Sequence, residues 1–120
     1  MNGAANKDTP SALPFFSVVL TSYNRARLLK RALLSLINQT EKDWEAIIVD
    51  DGSTDDTHAQ ITPYLKTNNK ITYFRQVSKG CVASKNSGIS LSTGKYITFL
   101  DSDDEYSPDH LATRKAILTK

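Results

Sequence analysis

Apolar residues follow two rhythms along this chain, short runs of β-formers and longer stretches that repeat every three to four positions, and the two alternate. Phe15 to Thr21 (Phe-Phe-Ser-Val-Val-Leu-Thr) is a run bounded by polar residues and predicts a buried strand. Beyond it, Leu29, Ala32, Leu33, Leu36 and Ile37 share one face at helical spacing, so a helix is expected from a cap at Asn24 to about Gln39. Glu45 to Asp50, through Ala46-Ile47-Ile48-Val49, predicts a second buried strand. Ser53 or Thr54 is expected to cap the next helix, with Asp55 and Asp56 in its first turn and Pro63 kinking or splitting it. Ile71 to Phe74 predicts a third, weaker strand. Val82, Asn86 and Ile89 predict a helix ending before a left-handed cap at Gly94, and Tyr96 to Leu100 a fourth strand. Ser107-Pro108 reads as an N-cap followed by a first-turn proline, opening a last helix that carries Leu111 and Leu118. Residues 1–14, small, polar and punctuated by proline, read as a flexible N-terminal tail.

Four β-α pairs in series predict the α/β class: an open doubly wound, mainly parallel sheet covered on both faces, over residues 15–120. Such sheets bind ligands in a crevice beyond the carboxyl ends of their strands. Thr21 and Tyr23 follow the first predicted strand, Asp50 and Asp51 end the second, and Asp101, Asp103 and Asp104 end the fourth. Polar and acidic residues therefore converge on one edge.

Composition mostly removes alternatives. With 120 residues, 39% hydrophobic and 23% charged, the chain has the balance of a soluble globular domain. A net charge of +2 on scattered basic residues leaves no nucleic-acid footprint. The densest basic stretch, Arg25, Arg27, Lys30 and Arg31, alternates with leucines and reads as a solvated helix face. Cys81 is the only cysteine, so no intrachain disulfide framework or cysteine-based zinc cluster is expected. It reads as a small core residue in a protein of the reducing cytoplasm. No apolar run reaches the ~20 residues of a membrane span, and no secretory signal is expected at the N-terminus. His58 and His110 fall on predicted helices and read as surface residues.

The convergent edge lacks G-x-G-x-x-G and G-x-x-x-x-G-K-[ST], so neither a dinucleotide fingerprint nor a P-loop is present. Asp101 and Asp103 would repel each other unless a cation sat with them, and a hard divalent ion bridges carboxylate to phosphate. Asp-Ser-Asp-Asp thus points to a magnesium or manganese site holding a phosphorylated ligand. On spacing alone, it reads equally as a set of acids that cap the following helix and solvate a loop.

Five segments carry a family resemblance. Ser17 to Arg25 (Ser-Val-Val-Leu-Thr-Ser-Tyr-Asn-Arg) resembles the S-V-[IV]-[IVL]-P/T-x-Y-N opening of family 2 glycosyltransferases. Leu34 to Thr40 is similar to that family's S-[IVL]-x-x-Q-T helix end, and Ile47 to Asp55 to its [IV]-[IV]-V-D-D-G-S-x-D signature. Gly80 with Ala83 to Gly88 resembles G-x-x-x-A-R-N-x-G, and Gly94 to Asp104 resembles G-x-[YF]-[IL]-x-[FL]-L-D-x-D-D. Together, in order, they make the chain similar to the nucleotide-sugar-binding half of an inverting transferase of GT-A type.

The resemblance implies roles. Thr21 and Tyr23 would line the base and ribose pocket, Tyr23 stacking on the base; packing at the rim is the alternative for Tyr23. Asp51 would accept a hydrogen bond from the base, typically uracil, while Asp50 fixes the loop. Lys85 stands where the family has arginine and offers the nucleotide a point charge instead of a planar fork, unless it is simply an exposed helix lysine. Asp103 would ligate Mn2+ or Mg2+, Asp101 would face ribose or metal-bound water, and Asp104 would orient the loop. The implied partners are a nucleoside diphosphate sugar, with a UDP-sugar favoured, and a carbohydrate or lipid-linked acceptor; the implied location is the cytoplasm or the inner face of a membrane. The family's general base follows the acidic motif, so it is expected beyond Lys120. The chain is accordingly expected to be a truncated piece that binds nucleotide without transferring sugar and leaves a strand edge open. Two rivals fit less well. A haloacid-dehalogenase-type phosphatase needs D-x-D-x-[TV], which Asp101-Ser102-Asp103-Asp104-Glu105 does not supply. A non-catalytic, receiver-like nucleotide-binding module places its paired acids after the first strand, whereas Asp50 and Asp51 follow the second.

Overall fold

The apolar run that begins at Phe16 becomes an inner strand of a four-stranded, all-parallel sheet. A computed structural model describes residues 13–120. Its elements are β1 (Phe16–Ser22), α1 (Ala26–Ile37), β2 (Trp44–Asp50), α2 (Thr57–Thr67), β3 (Ile71–Arg75), α3 (Cys81–Leu91), β4 (Tyr96–Phe99) and α4 (His110–Leu118). Residues 1–12, most of the expected tail, lie outside the described residues, while Pro14 already joins the fold, its carbonyl accepting the Lys95 N–H at 3.0 Å.

The strand order is β3-β2-β1-β4. The chain steps outward from β1 to β3, then crosses back through α3 to place β4 on the other side of β1. Alternate residues of a strand face opposite ways. On one face Phe16, Val18 and Leu20 join Ala46 and Ile48, Leu29, Leu33 and Leu36 of α1, Ile61 of α2 and Leu111 of α4 in one buried cluster. On the other face Val19 meets α3. The sheet is thus doubly wound as its pattern predicts, and the winding reverses between β1 and β4. That reversal is where a parallel sheet opens a crevice.

Several element ends differ from expectation, and at Asn24 and Ser53 the cause is a polar side chain used across loops instead of along its own helix. Asn24 does not cap α1: its backbone is left-handed (φ 51°), and its side-chain carbonyl accepts the N–H groups of Thr54 (2.7 Å) and Asp55 (3.2 Å). Ser53 does not cap α2, because its hydroxyl accepts the Asn24 N–H at 2.8 Å. Asp55 lies ahead of that helix and accepts the Thr57 N–H (3.1 Å) and hydroxyl. Helix α2 runs unbroken through Pro63. The carbonyl deprived of a partner belongs to Ala59, which is exposed and open to solvation. Ser107 and Pro108 form a turn before α4, whose N-cap is Asp109.

Helix α3 reverses the expected facing. Val82 and Ile89 are exposed, and the buried positions are Ser84 and Gly88. The cause is close approach: a Cβ on Gly88 would lie 2.3 Å from Val19 Cγ1. Gly94 is likewise no left-handed cap. A Cβ there would lie 2.6 Å from Ser17 Oγ, to which the Gly94 N–H donates at 2.7 Å. Alanine is the better helix former by roughly 1 kcal/mol, yet at 88 its methyl must push α3 off the sheet. Gly88→Ala is therefore expected to destabilise the chain by about 1–3 kcal/mol in chemical denaturation, with Val19→Ala in the same chain recovering part of the loss. A Gly88→Ala protein as stable as its parent would refute the packing argument.

Candidate functional site

The crevice between β1 and β4 is a cleft of about 340 Å³. Residues after β1 supply Thr21, Ser22, Tyr23 and Arg25, the end of β2 supplies Asp51, and the first turns of α3 supply Cys81, Ser84 and Lys85. The loop after β4 closes it with Asp101, Ser102 and Asp103. Thr21, Tyr23, Asp51, Lys85, Asp101 and Asp103, picked out from the sequence, all line this one cleft. Asp50 does not, and the two histidines lie elsewhere: His58 stacks on Tyr73 at 4.7 Å between centroids, and His110 packs half-buried on Tyr106 at 3.9 Å.

Asp50 and Asp51 end β2 pointing to opposite faces. Asp50 accepts the Ser53 N–H at 2.9 Å and the Tyr73 hydroxyl. Burial, together with that carboxylate, pushes the Tyr73 hydroxyl well above the usual phenol range. Asp51 is only 7% exposed. Its Oδ1 accepts Gln76 Nε2 (2.9 Å) and the Lys79 N–H (2.8 Å), and its Oδ2 accepts the Gly80 N–H (2.9 Å). Burial raises its pKa, but the bonds from Gln76, Lys79 and Gly80 outweigh burial and hold the carboxyl below the usual Asp range. A carboxylate has about four acceptor positions, so one on Oδ2 remains. Gln76 also reaches Ser84 (3.3 Å) and accepts the Ser87 hydroxyl (2.7 Å), tying the β3–α3 loop to α3. It carries no sequence signal of its own, since a lone glutamine after a strand resembles any loop residue.

The acidic loop presents Asp101, Asp103 and Asp104, all exposed, with one carboxylate oxygen from each lying within 4.8 Å of the others. Hard oxygen donors at this spacing fit magnesium or manganese, and among the three there is neither sulfur nor imidazole to favour zinc. Two cations face these acids: Arg25 Nη1 lies 3.5 Å from Asp103 Oδ2, and Lys85 Nζ lies 4.0 Å from Asp101 Oδ1. Arg31 donates to the Asp103 carbonyl at 2.8 Å and sits 3.3 Å from Glu105. Arg25 and Arg31 thus serve the acidic loop, correcting the expectation of a merely solvated basic helix face. Cys81 is corrected as well: it is exposed in the cleft, not part of the core, because the tight α3 packing uses Ser84 and Gly88.

The segment beyond the acids is pinned to the far end of α1. Ser35 Oγ accepts the Tyr106 N–H at 3.0 Å. Buried Gln39 donates to the Ser107 carbonyl at 2.6 Å and accepts the Leu111 N–H at 2.9 Å. The Thr40 N–H reaches the Pro108 carbonyl at 2.9 Å.

Residues 17–114 match the family model described as Glycosyl transferase family 2. The chain is 42% identical over 95 residues to an uncharacterized glycosyltransferase of Rickettsia conorii, covering 79% of this chain and 16% of that protein. It is 38% identical over 103 residues to the GalNAc(5)-diNAcBac-PP-undecaprenol beta-1,3-glucosyltransferase of Campylobacter jejuni, covering 84% of this chain and 33% of that protein. The chain therefore spans a third or less of the length of these two curated relatives. Among solved structures it resembles S. aureus TarS 1-349 in complex with UDP-GlcNAc, with a TM-score of 0.81 and 27% identity over 87% of this chain and 31% of that one.

The Asp51 environment has a consequence for acid stability. Its folded pKa is depressed, so below the ordinary Asp value of about 4 the unfolded chain binds more protons than the folded one. Its contribution is present above that value and lost as pH falls through the folded pKa. Asp51→Asn is expected to lower stability at pH 7 and to flatten its fall below pH 4. The residual slope belongs in part to Asp55, which the Thr57 hydrogen bonds depress in the same sense. Denaturant titrations at pH 3, 4 and 7 measure this, and an unaltered slope would contradict it.

Proposed function

The chain belongs to glycosyl transferase family 2, and from that membership we propose that it forms the donor-binding part of an enzyme that moves a sugar from a UDP-sugar to an acceptor hydroxyl, with inversion at the anomeric carbon. The observation that carries this reading is the single cleft at the β1/β4 reversal, which gathers Thr21, Tyr23, Asp51, Lys85, Asp101 and Asp103. Tyr23 is half exposed and offers a ring face on which a base can stack. The remaining acceptor position of Asp51 takes the base N–H, and the likeness to a TarS structure holding UDP-GlcNAc favours uracil. Lys85 meets the phosphates as a point charge.

Asp103, with Asp101, would hold Mn2+ or Mg2+. Such an ion, when bound, neutralises the charge that grows on the leaving diphosphate. Asp104, whose N–H donates to the Asp101 carbonyl at 2.9 Å, keeps the turn that presents the other two. The acceptor, a carbohydrate or a lipid-linked sugar, loses its proton to a carboxylate that we assign outside residues 1–120. No helix of the described residues is long and apolar enough to cross a membrane. The exposed thiol of Cys81 suits a reducing compartment, and we assign the protein to the cytoplasm or the inner face of a membrane.

Calorimetric titration of UDP, GDP, CDP and dTDP, with and without manganese, tests the reading, and UDP with manganese is expected to bind tightest. Asp103→Ala should remove the manganese dependence and Asp104→Ala should weaken it less. Manganese-dependent UDP affinity that survives in Asp103→Ala would sink the metal assignment. With radiolabelled UDP-sugars and manganese, residues 1–120 are expected to bind donor without acceptor-dependent turnover, since proton transfer alone contributes about 10²–10⁴-fold. Turnover by this chain would show that the base lies within it.

A further inference from the structure

Asp103 already has a cation beside it. Arg25 stands at the N-cap of α1, directly after the turn that carries Tyr23, and its guanidinium enters the cleft with Nη1 3.5 Å from Asp103 Oδ2. Both side chains are about half exposed, so the pair is held weakly and is open to exchange. On the opposite wall Lys85 faces Asp101 at 4.0 Å. Each of the two carboxylates is thus balanced by a side-chain cation from a different element.

A divalent ion and a guanidinium cannot both be served fully by one carboxylate. Once Asp103 carries a metal, its charge is compensated and Arg25 loses its partner. A diphosphate joined to that metal would bring phosphate oxygens to the cleft space beside Arg25. Arginine is the side chain best shaped for that exchange, since its fork matches carboxylate and phosphate alike. Lys85 cannot supply a fork, so Arg25 is the planar donor among the cleft-lining residues.

We propose that Arg25 is an exchange cation of the donor site: it neutralises Asp103 while the metal position is free, and it moves to the diphosphate of the nucleotide when a divalent ion takes that carboxylate. The proposal rests on the reading of Asp103 as a metal ligand. It makes Arg25 a competitor of the metal and an ally of the diphosphate, two effects of opposite sign from one side chain. A merely structural arginine would move both affinities in the same direction.

The test measures manganese alone by electron paramagnetic resonance of the free ion, and UDP at saturating manganese by calorimetry. Arg25→Ala is expected to tighten nucleotide-free manganese binding about two- to fivefold, the scale of an exposed ion pair, and to weaken UDP binding about tenfold, the scale of a charged hydrogen bond. Arg25→Lys keeps the competing charge, so its manganese affinity should match the parent's while UDP binding falls about threefold for want of the fork. Arg27→Ala removes one exposed positive charge outside the cleft and should change neither affinity. The proposal is overturned if Arg25→Ala leaves both affinities unchanged, lowers both, or is reproduced by Arg27→Ala. Asp103→Ala separates the two levels. Should it abolish manganese binding while Arg25→Ala changes nothing, the exchange fails and the metal reading stands; should it leave manganese binding intact, both fall.

Discussion

Two adjacent carboxylates taken out of water at the end of β2 set the terms for the rest of this structure. A buried ionised carboxylate is costly unless donors surround it, and Asp50 and Asp51, 1% and 7% exposed, face opposite sides of the sheet. Their donors must therefore come from different places. Asp50 draws on Ser53 and Tyr73, closing the turn after β2 against β3 on the α1–α2 face. Asp51 draws on Gln76 and on the N–H groups of Lys79 and Gly80, which fixes the loop leading into α3 on the other. The start of α3, and with it Cys81, Ser84 and Lys85 on one wall of the cleft, is placed by the need to satisfy Asp51.

From there the packing of α3 follows. A helix started at a fixed point must still lie flat on the sheet, and it does so with Ser84 and Gly88 as its buried positions, Gly88 against Val19. The close approach keeps α3 low over β1 and β2, and Lys85, next to buried Ser84, is carried to within 4.0 Å of Asp101. Larger residues at 84 or 88 would lift the helix and widen the cleft. Small residues here are a geometric requirement of the site, not a gap in the core.

The sequence was legible wherever one physical cause acted along a local stretch. Strand runs such as Val18 to Leu20 and Ala46 to Val49, and the α1 stripe of Leu29, Leu33 and Leu36, are readable because burial repeats with the period of the element. The convergence of Thr21, Tyr23, Asp51, Asp101 and Asp103 is readable because parallel strands must share one carboxyl edge, whereas Lys85, on α3, is readable only through the family resemblance. What failed was local reading of residues whose partners are distant in sequence. Asn24 looks like a cap but serves Thr54 and Asp55, thirty residues away. Ser53 and Gly94 mislead in the same way, their partners being Asn24 and Ser17. Val82 and Ile89 imitate a buried stripe, while the true contact face, being made of small residues, leaves no hydrophobic period to detect. Arg25 reads locally as solvated surface because its acidic partner, Asp103, lies beyond β4.

Helix α1 joins these separate devices into one. Arg25 at its N-cap and Arg31 midway along it reach the acidic loop, while Ser35 in its last turn and Gln39 just past its C-cap hold Tyr106, Ser107 and Leu111. The segment from Asp101 to Leu111 is thereby held along α1, by exposed arginines on its N-terminal half and by buried and half-buried hydrogen bonds around its C-terminal end. The two grips differ in kind. The exposed ion pairs contribute little to stability and are screened by salt. Breaking a buried bond to Gln39 strands a desolvated donor or acceptor at a cost of about 1–3 kcal/mol. The tail of the loop is therefore fixed in place while its carboxylates stay free to change partners, the division of labour that the proposed exchange of side-chain cations for a metal and a diphosphate requires.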